Sequence, residues 1–329
     1  MNHANIEIIS SWDHCAQVVT GFLLLKKANK LTLSIAHNKE VQMATGNLAA
    51  VRVEYQGVNI IYDLMDGYQN PKGMQRLLDT CDVYYKRSFL DSRNIELFKE
   101  QSKKMHPLGF NYLVSCKGNP YNKGGYRELL LRVRGDKPKS YFTPEKFESI
   151  PAYKESGLKI LFLTRLWDAH EPNAEKLNRS RIDLLRQLKK EYKESFVGGI
   201  RQSSTAVDLA SDLVVSKRHT ERSNYLKLLR ESDICIGTLG LHESTGWKTA
   251  EYIAASKAIV NERLVYEVPG NFTNGVNYFD FTNEEECYRL IKTLLSQPEL
   301  VFKMKKANQE YYEHYLRPDS LVLRTLDVI

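Results

Sequence analysis

Residues 232–262 read SDICIGTLGLHESTGWKTAEYIAASKAIVNE, and the reading of this stretch decides the fold. Ile234-Cys235-Ile236 is an apolar triplet set between Asp233 and Gly237, the pattern of a short strand buried on both faces. A glycine-containing loop follows and reaches Glu243. Ser244 and Thr245 are N-cap residues by type, because a hydroxyl oxygen accepts from the unpaired N–H groups of a first helical turn. A helix is therefore expected over Thr245–Lys257, with Ile259-Val260 resuming as a strand. Strand, loop, helix and strand in immediate succession form a β-α-β unit, which implies a parallel sheet in this half of the chain.

The same alternation extends in both directions. Upstream within the C-terminal half, Lys159–Leu163 reads as a strand and Glu175–Tyr192 as a helix. Phe196-Val197 is a short strand, Thr205–Ser211 helical, Leu213–Val215 extended and Arg222–Arg230 helical. Downstream, Tyr278–Phe281 is extended, and 284–296 and 298–315 are helical. The N-terminal half follows suit, with strands at Ile6–Ile9, Leu31–Ile35 and Asp82–Tyr85 and helices at Cys15–Lys27, Met74–Thr80 and Asn94–Lys104, the last closed by His106-Pro107. Ala50–Tyr55 and Val58–Tyr62 flank Gln56-Gly57 and read as a tight hairpin. Between the halves, KGNPYNKGGY and then RGDKPKSYFTPEKFESIP are rich in Gly, Pro, Lys and Tyr, and the second reads as a linker. The expected organisation is α/β throughout: a Rossmann-like domain over 1–150, a second over 151–315, and a tail over 316–329 that packs back on the first. Two such domains face each other across a cleft, and doubly wound sheets bind ligands beyond the carboxyl ends of their strands.

Composition narrows the function classes. The 329 residues are 42% hydrophobic and 26% charged, ordinary for a globular protein of two domains. The longest apolar run, near Val18–Leu25, stops at Lys26-Lys27, well short of a membrane span. The N-terminus lacks the basic and apolar regions of a signal peptide, and five scattered cysteines without a CxxC pair fit a reducing cytoplasm rather than zinc or disulfides. The net charge of +7 is spread among acidic residues with no nucleic-acid motif beside it, so nucleic acid is not an expected partner. Lys26, Lys27, Lys103 and Lys104 offer a basic surface for peripheral contact with the inner face of an anionic membrane.

The chemistry concentrates in the opening stretch. Free N–H groups and the positive dipole end make the helix start an anion site, Lys248 adds charge, and Gly246 allows close approach to the backbone. Glu251 lies about two turns into the helix, so a diphosphate at the helix start would have one carboxylate in the loop and another further along. Carboxylates accept from paired sugar hydroxyls. The set suits a nucleotide-sugar.

Glu243 and Glu251, with seven residues between them, resemble the E-x7-E signature of retaining GT-B glycosyltransferases, particularly those similar to family 4. KILFLTRL resembles the strand that opens that family's donor domain, and YLKLLRESDICIG the helix and strand before its motif; the resemblance covers roughly residues 158–315. It implies that Glu251 binds the nucleotide ribose and that Glu243 lies at the donor sugar and supports the transition state. It implies further that Ser244, Thr245 and Gly246 receive the diphosphate and that Arg165 is a phosphate-binding arginine. The implied reaction is sugar transfer with retention, without a metal cofactor, to a glycan or lipid-linked acceptor of a cell-surface polymer.

The sequence departs from the family pattern at several places. The lysine usual after the Arg165 position is missing, with only Lys176 nearby, so Arg201 or Lys217 is the substitute cation. Ser10-Ser11-Trp12-Asp13 occupies the place of the N-terminal glycine-rich loop. His37, His106 and Asp66 are the candidates for an N-domain contact to the donor sugar. Asp63 and Asp66, three apart after a strand, read as a loop or acceptor feature in preference to a cation site. Trp167 and Trp247 stack on a ring or pack, and His242 reads as a loop residue. A nucleotide-sugar 2-epimerase and a non-catalytic nucleotide-sugar-binding protein are the alternatives on this scaffold.

Overall fold

The computed structural model describes residues 1–122 and 142–327. Tyr126 and much of the expected linker lie outside the described residues. The chain divides into two compact units: unit 1 comprises Met1–Lys146, Tyr266–Gly270 and Glu313–Ile329, and unit 2 comprises Phe147–Val265 and Asn271–Tyr312. The division falls at Lys146, and unit 1 takes back both a short segment near 266–270 and the chain's end.

Unit 1 holds β1 (His3–Ile8), β2 (Thr32–His37), β3 (Ala50–Tyr55), β4 (Val58–Asp63), β5 (Val83–Lys86) and β6 (Met105–Pro107), ordered β2-β1-β3-β4-β5-β6. The sheet is mixed, because β3 runs antiparallel to both β1 and β4. The Gln56-Gly57 hairpin accounts for this: both residues take positive φ, 54° and 81°, the requirement of a two-residue turn matched to strand twist. A wholly parallel sheet thus holds for one unit only. His106 lies within β6 instead of closing a helix; the helix ends at Phe98, and a 3₁₀ segment covers Lys99–Lys104. The closing helix Pro318–Leu326 packs on the helix Ala16–Lys27 at Gly21, where any side chain would strike the Pro318 carbonyl. Tyr62 Oη and Thr325 Oγ1, 2.7 Å apart, fasten the closing helix to the sheet.

Unit 2 holds β7 (Ile160–Thr164), β8 (Phe196–Arg201), β9 (Val214–Val215), β10 (Ile234–Gly237), β11 (Ala258–Glu262) and β12 (Phe279–Phe281). All pairs are parallel and the order is β9-β8-β7-β10-β11-β12. Numbered within the unit this is 3-2-1-4-5-6, the order of dinucleotide-binding folds, with the chain reversing direction between β7 and β10. Ile234, Cys235 and Ile236 are wholly buried, as an apolar strand covered on both faces must be. The crevice beyond the carboxyl ends of β7 and β10 is where such sheets hold ligands.

Candidate functional site

The reversal point brings together the loop after β7, the loop after β10 and three helices: Ala174–Tyr192, Arg222–Glu231 and Trp247–Ala254. The last of these begins later than its sequence suggests. Gly246 is the N-cap, with no side-chain cap bond, and the first helical residue is Trp247. Ser244 ends a 3₁₀ turn, Leu241–Glu243, and Ser244 and Thr245 are buried in the loop. Neither is the N-cap. The reason is the compact loop itself: the Gly240 N–H donates to the Ser244 carbonyl (2.9 Å) and holds the chain in a turn until residue 246.

His242 and Glu243 both lie in the left-handed region, at φ 57° and 58°. Two consecutive non-glycine residues there store strain of roughly 1–3 kcal/mol each, which the surrounding structure has to hold. The effect is to turn Glu243 outward; its side chain is exposed. Gly246 is not demanded by packing, since an added Cβ would meet nothing nearer than the Thr238 carbonyl at 3.6 Å and its φ is −66°.

Glu251 is 2% exposed, on the inner face of its helix. Its Oε1 accepts from Arg222 Nη2 at 2.8 Å. Its Oε2 is buried and makes no hydrogen bond of good geometry among the described residues, although the buried Tyr225 hydroxyl lies beside the carboxylate. A buried acceptor left bare costs about 1–3 kcal/mol, so it calls for an explanation.

Cations crowd this carboxylate. Lys248 Nζ donates to the Leu163 carbonyl at the end of β7 and lies 5.6 Å from the Tyr225 ring. Burial first, then Arg181, Arg222 and Arg165, pull the Lys248 ammonium down to about 8, against the opposing pull of Glu251. Arg165 is exposed, its guanidinium 3.7 Å above the Trp167 ring. Trp167 is fixed in turn by Asn178, whose side-chain amide both donates to and accepts from its backbone at 2.8 Å.

Arg181, which the sequence does not single out, is the organising residue. It is 5% exposed and donates to the carbonyls of Arg165 (2.8 Å) and Leu239 (2.7 Å) and to Thr238 Oγ1 (3.2 Å). Burial lowers it to about 10, with Glu262 opposing, so it remains charged at neutral pH. Glu262, at the end of β11, accepts the Leu239 N–H at 2.5 Å, and burial raises its pKa. Arg201 lies exposed at the end of β8 and Lys217 exposed after β9. Neither is among the leading charges acting on Lys248 or Arg181, whereas Arg165 acts on both.

Unit 1 treats its charged residues differently. Asp63 pairs with Lys86 at 2.9 Å, both wholly buried, and also accepts from Tyr84 Oη. Asp66 pairs with Arg87 at 2.6 Å. The two aspartates are thus engaged separately by cations. His37 is exposed at the end of β2, and His106 is half-buried beside the Tyr85 ring. The histidine that feels Asp66 is His14, whose pKa is lowered by burial and by Arg87 and raised by Asp66. Of the four lysines read as a basic surface, Lys26 and Lys27 are exposed, whereas Lys103 pairs with Glu100 and Lys104 donates to two carbonyls. No helix among the described residues is long and apolar enough to cross a membrane.

No protein-family model matches the chain, and no curated protein matches it significantly. Solved structures do. A glycosyltransferase from Rickettsia africae ESF-5 is 13% identical, over 95% of this chain and 80% of that one, with a TM-score of 0.48. Anabaena HepE in complex with UDP-glucose is 11% identical over 100% of both chains, at 0.47. Accessory secretory protein 1, 2 and 3 of Streptococcus pneumoniae gives 9% identity over 89% of this chain and 51% of that one, at 0.50. At such identities the likeness is one of fold. The sheet order of the chain itself defines the fold class, two Rossmann-like α/β domains, and glycosyltransferases are among the structural neighbours.

Proposed function

We propose that this chain is a retaining, metal-independent glycosyltransferase that draws on a nucleotide-sugar and delivers to a glycan or lipid-linked acceptor. The observation that carries the reading is the excess of cations at the β7–β10 reversal: Arg165, Arg181, Arg222 and Lys248 against the carboxylates of Glu251 and Glu262. A partly desolvated cluster of this kind is stabilised by an anion, and departure of a nucleoside diphosphate is the step at which negative charge develops. Arg165 and Lys248 take the diphosphate, with the amides near Thr245 and Gly246; the cations supply the neutralising charge that a metal would otherwise bring. Glycine at 246 keeps that backbone open to approach. Glu251 Oε2 accepts from the ribose, and Glu243, turned outward by its left-handed backbone, supports the sugar. The reaction belongs in the cytoplasm, with Lys26 and Lys27 as the residues available for contact with the membrane's inner face.

The test is a thermal-shift and turnover screen against UDP-, GDP-, ADP- and CMP-sugars with wild type, Glu251→Gln and Arg165→Met. One nucleotide should stabilise the wild type by about 2.7 kcal/mol at a hundred times its Kd. Arg165→Met should lower turnover by about 10²–10³-fold, the usual effect of removing one group that stabilises developing charge. If no nucleotide stabilises the wild type, the reading fails. Binding without turnover would favour a non-catalytic protein, and conversion of the donor to an isomer without acceptor an epimerase.

A further inference from the structure

We propose that Arg222 is a positioning residue that presets Glu251 and makes the site prefer ribonucleoside over 2′-deoxyribonucleoside diphosphates, an inference that rests on the nucleotide-sugar reading above. The two oxygens of Glu251 are inequivalent. Oε1 is held by Arg222 at 2.8 Å, whereas Oε2 is buried and makes no hydrogen bond of good geometry among the described residues; the buried Tyr225 hydroxyl lies beside the carboxylate, its pKa raised by burial and then by Glu251. An ionised carboxylate only accepts, so the matching group on a ligand is an O–H or N–H donor.

Arg222 is itself fixed before it meets the carboxylate. It is the first residue of the helix Arg222–Glu231, and its guanidinium lies 4.9 Å from the Phe147 ring and 5.7 Å from the Tyr225 ring. A planar cation held against two aromatic faces has little freedom to swing. By gripping Oε1 it sets the plane of the carboxylate and therefore the direction in which Oε2 presents its lone pairs. A ribose brings two adjacent hydroxyls to such an acceptor and a 2′-deoxyribose one. A buried acceptor shaped for a hydroxyl rejects the analogue that lacks it more strongly than an exposed one, because the polar group is then left bare.

Titration calorimetry on the full chain decides the matter, using UDP, GDP and ADP with dUDP, dGDP and dADP. The proteins are wild type, Arg222→Ala, Arg222→Lys and Glu251→Gln. Wild type should prefer the ribonucleotide by about 10- to 100-fold, the weight of one hydrogen bond to a charged group. Arg222→Ala should bring the ribonucleotide down to the level of its deoxy partner, so that the ratio approaches one. Arg222→Lys, which restores charge without a plane, should recover affinity for both and leave most of the ratio lost. Equal weakening of both nucleotides in Arg222→Ala would make Arg222 a plain phosphate cation and overturn the proposal. An unchanged ratio would overturn it too. Should Arg222→Ala not fold, Arg222→Lys and Arg222→Gln are judged by the same ratio. A wild type that binds none of the six nucleotides removes the nucleotide reading itself; one that binds them without preference leaves that reading standing and removes only this proposal.

Discussion

Both sheets end in charged residues at their carboxyl edges, yet the two units handle them in opposite ways. In unit 1, Asp63 and Lys86 neutralise each other out of reach of water, and Asp66 and Arg87 form a second pair. In unit 2, three arginines and a lysine gather at the β7–β10 end against two carboxylates, Glu251 and Glu262. Unit 2 is also rich in cations at the amino end of β10, where Asp233 is answered by Lys305 and Lys154 at 2.7 and 2.9 Å and burial lowers the neighbouring Lys257 to about 8. What sets the carboxyl end apart is that Glu251 keeps one buried oxygen without a hydrogen bond of good geometry among the described residues, whereas both oxygens of Asp233 are engaged, and it does so at the place where a doubly wound sheet takes its ligand.

Breaking the sealed pair should have the largest effect. Asp63→Ala leaves Lys86 buried and unanswered, and should lower unit 1's stability by about 3–5 kcal/mol in urea unfolding. A loss below about 1 kcal/mol would mean that the pair is not what seals this end of the sheet.

The open cluster should respond to pH in two directions. The Lys248 pKa is lowered from 10.5 to about 8 in the folded chain, by burial and then by the surrounding arginines. Between those values the unfolded chain holds a proton that the folded chain has lost, so this group's contribution to stability rises as pH climbs through about 8. Nucleotide affinity moves the other way, because a bound diphosphate favours the protonated ammonium. If only that form binds, affinity should fall about tenfold between pH 7 and pH 9. Calorimetry across that interval checks it, and Lys248→Met should flatten the profile.

The smallest effect is expected at a solvated pair. Arg186 and Asp212 meet at 3.1 Å, but both side chains are more than half exposed. Arg186→Met should cost less than about 1 kcal/mol in thermal unfolding. A larger loss would weaken the link drawn here between burial and the need for a partner.

Much of unit 2 was legible because its signals are local. Ile234-Cys235-Ile236 announces a covered strand, and the Glu243–Glu251 spacing lies on a single loop and helix. The helix start was misplaced because Ser244 and Thr245 carry the right chemistry for a cap, while a hydrogen bond within the loop decides where the turn can open. Arg181 was invisible for a different reason. In NRSRIDLLRQLKKEY it resembles any basic residue on a surface helix, and only the packing of that helix over β7 and β10 brings it to both loops. Arg222 is likewise 29 positions from the carboxylate it holds (251 − 222), a pairing that periodicity cannot report. In unit 1 the hairpin at Gln56-Gly57 was readable, but its consequence, an antiparallel strand inside the sheet, depends on β3 pairing with β1 as well.

Arg181 has one more consequence. Its guanidinium is bonded to Arg165 on one loop and to Thr238 and Leu239 on the other, so both loops share an anchor set during folding. Immobilising a backbone residue takes about 1–2 kcal/mol of conformational entropy, and here the bonds that impose this order on both loops come from within the fold. A molecule captured at this edge would therefore lose its own freedom of motion but would not have to quiet the protein's, and the two loops could loosen only together.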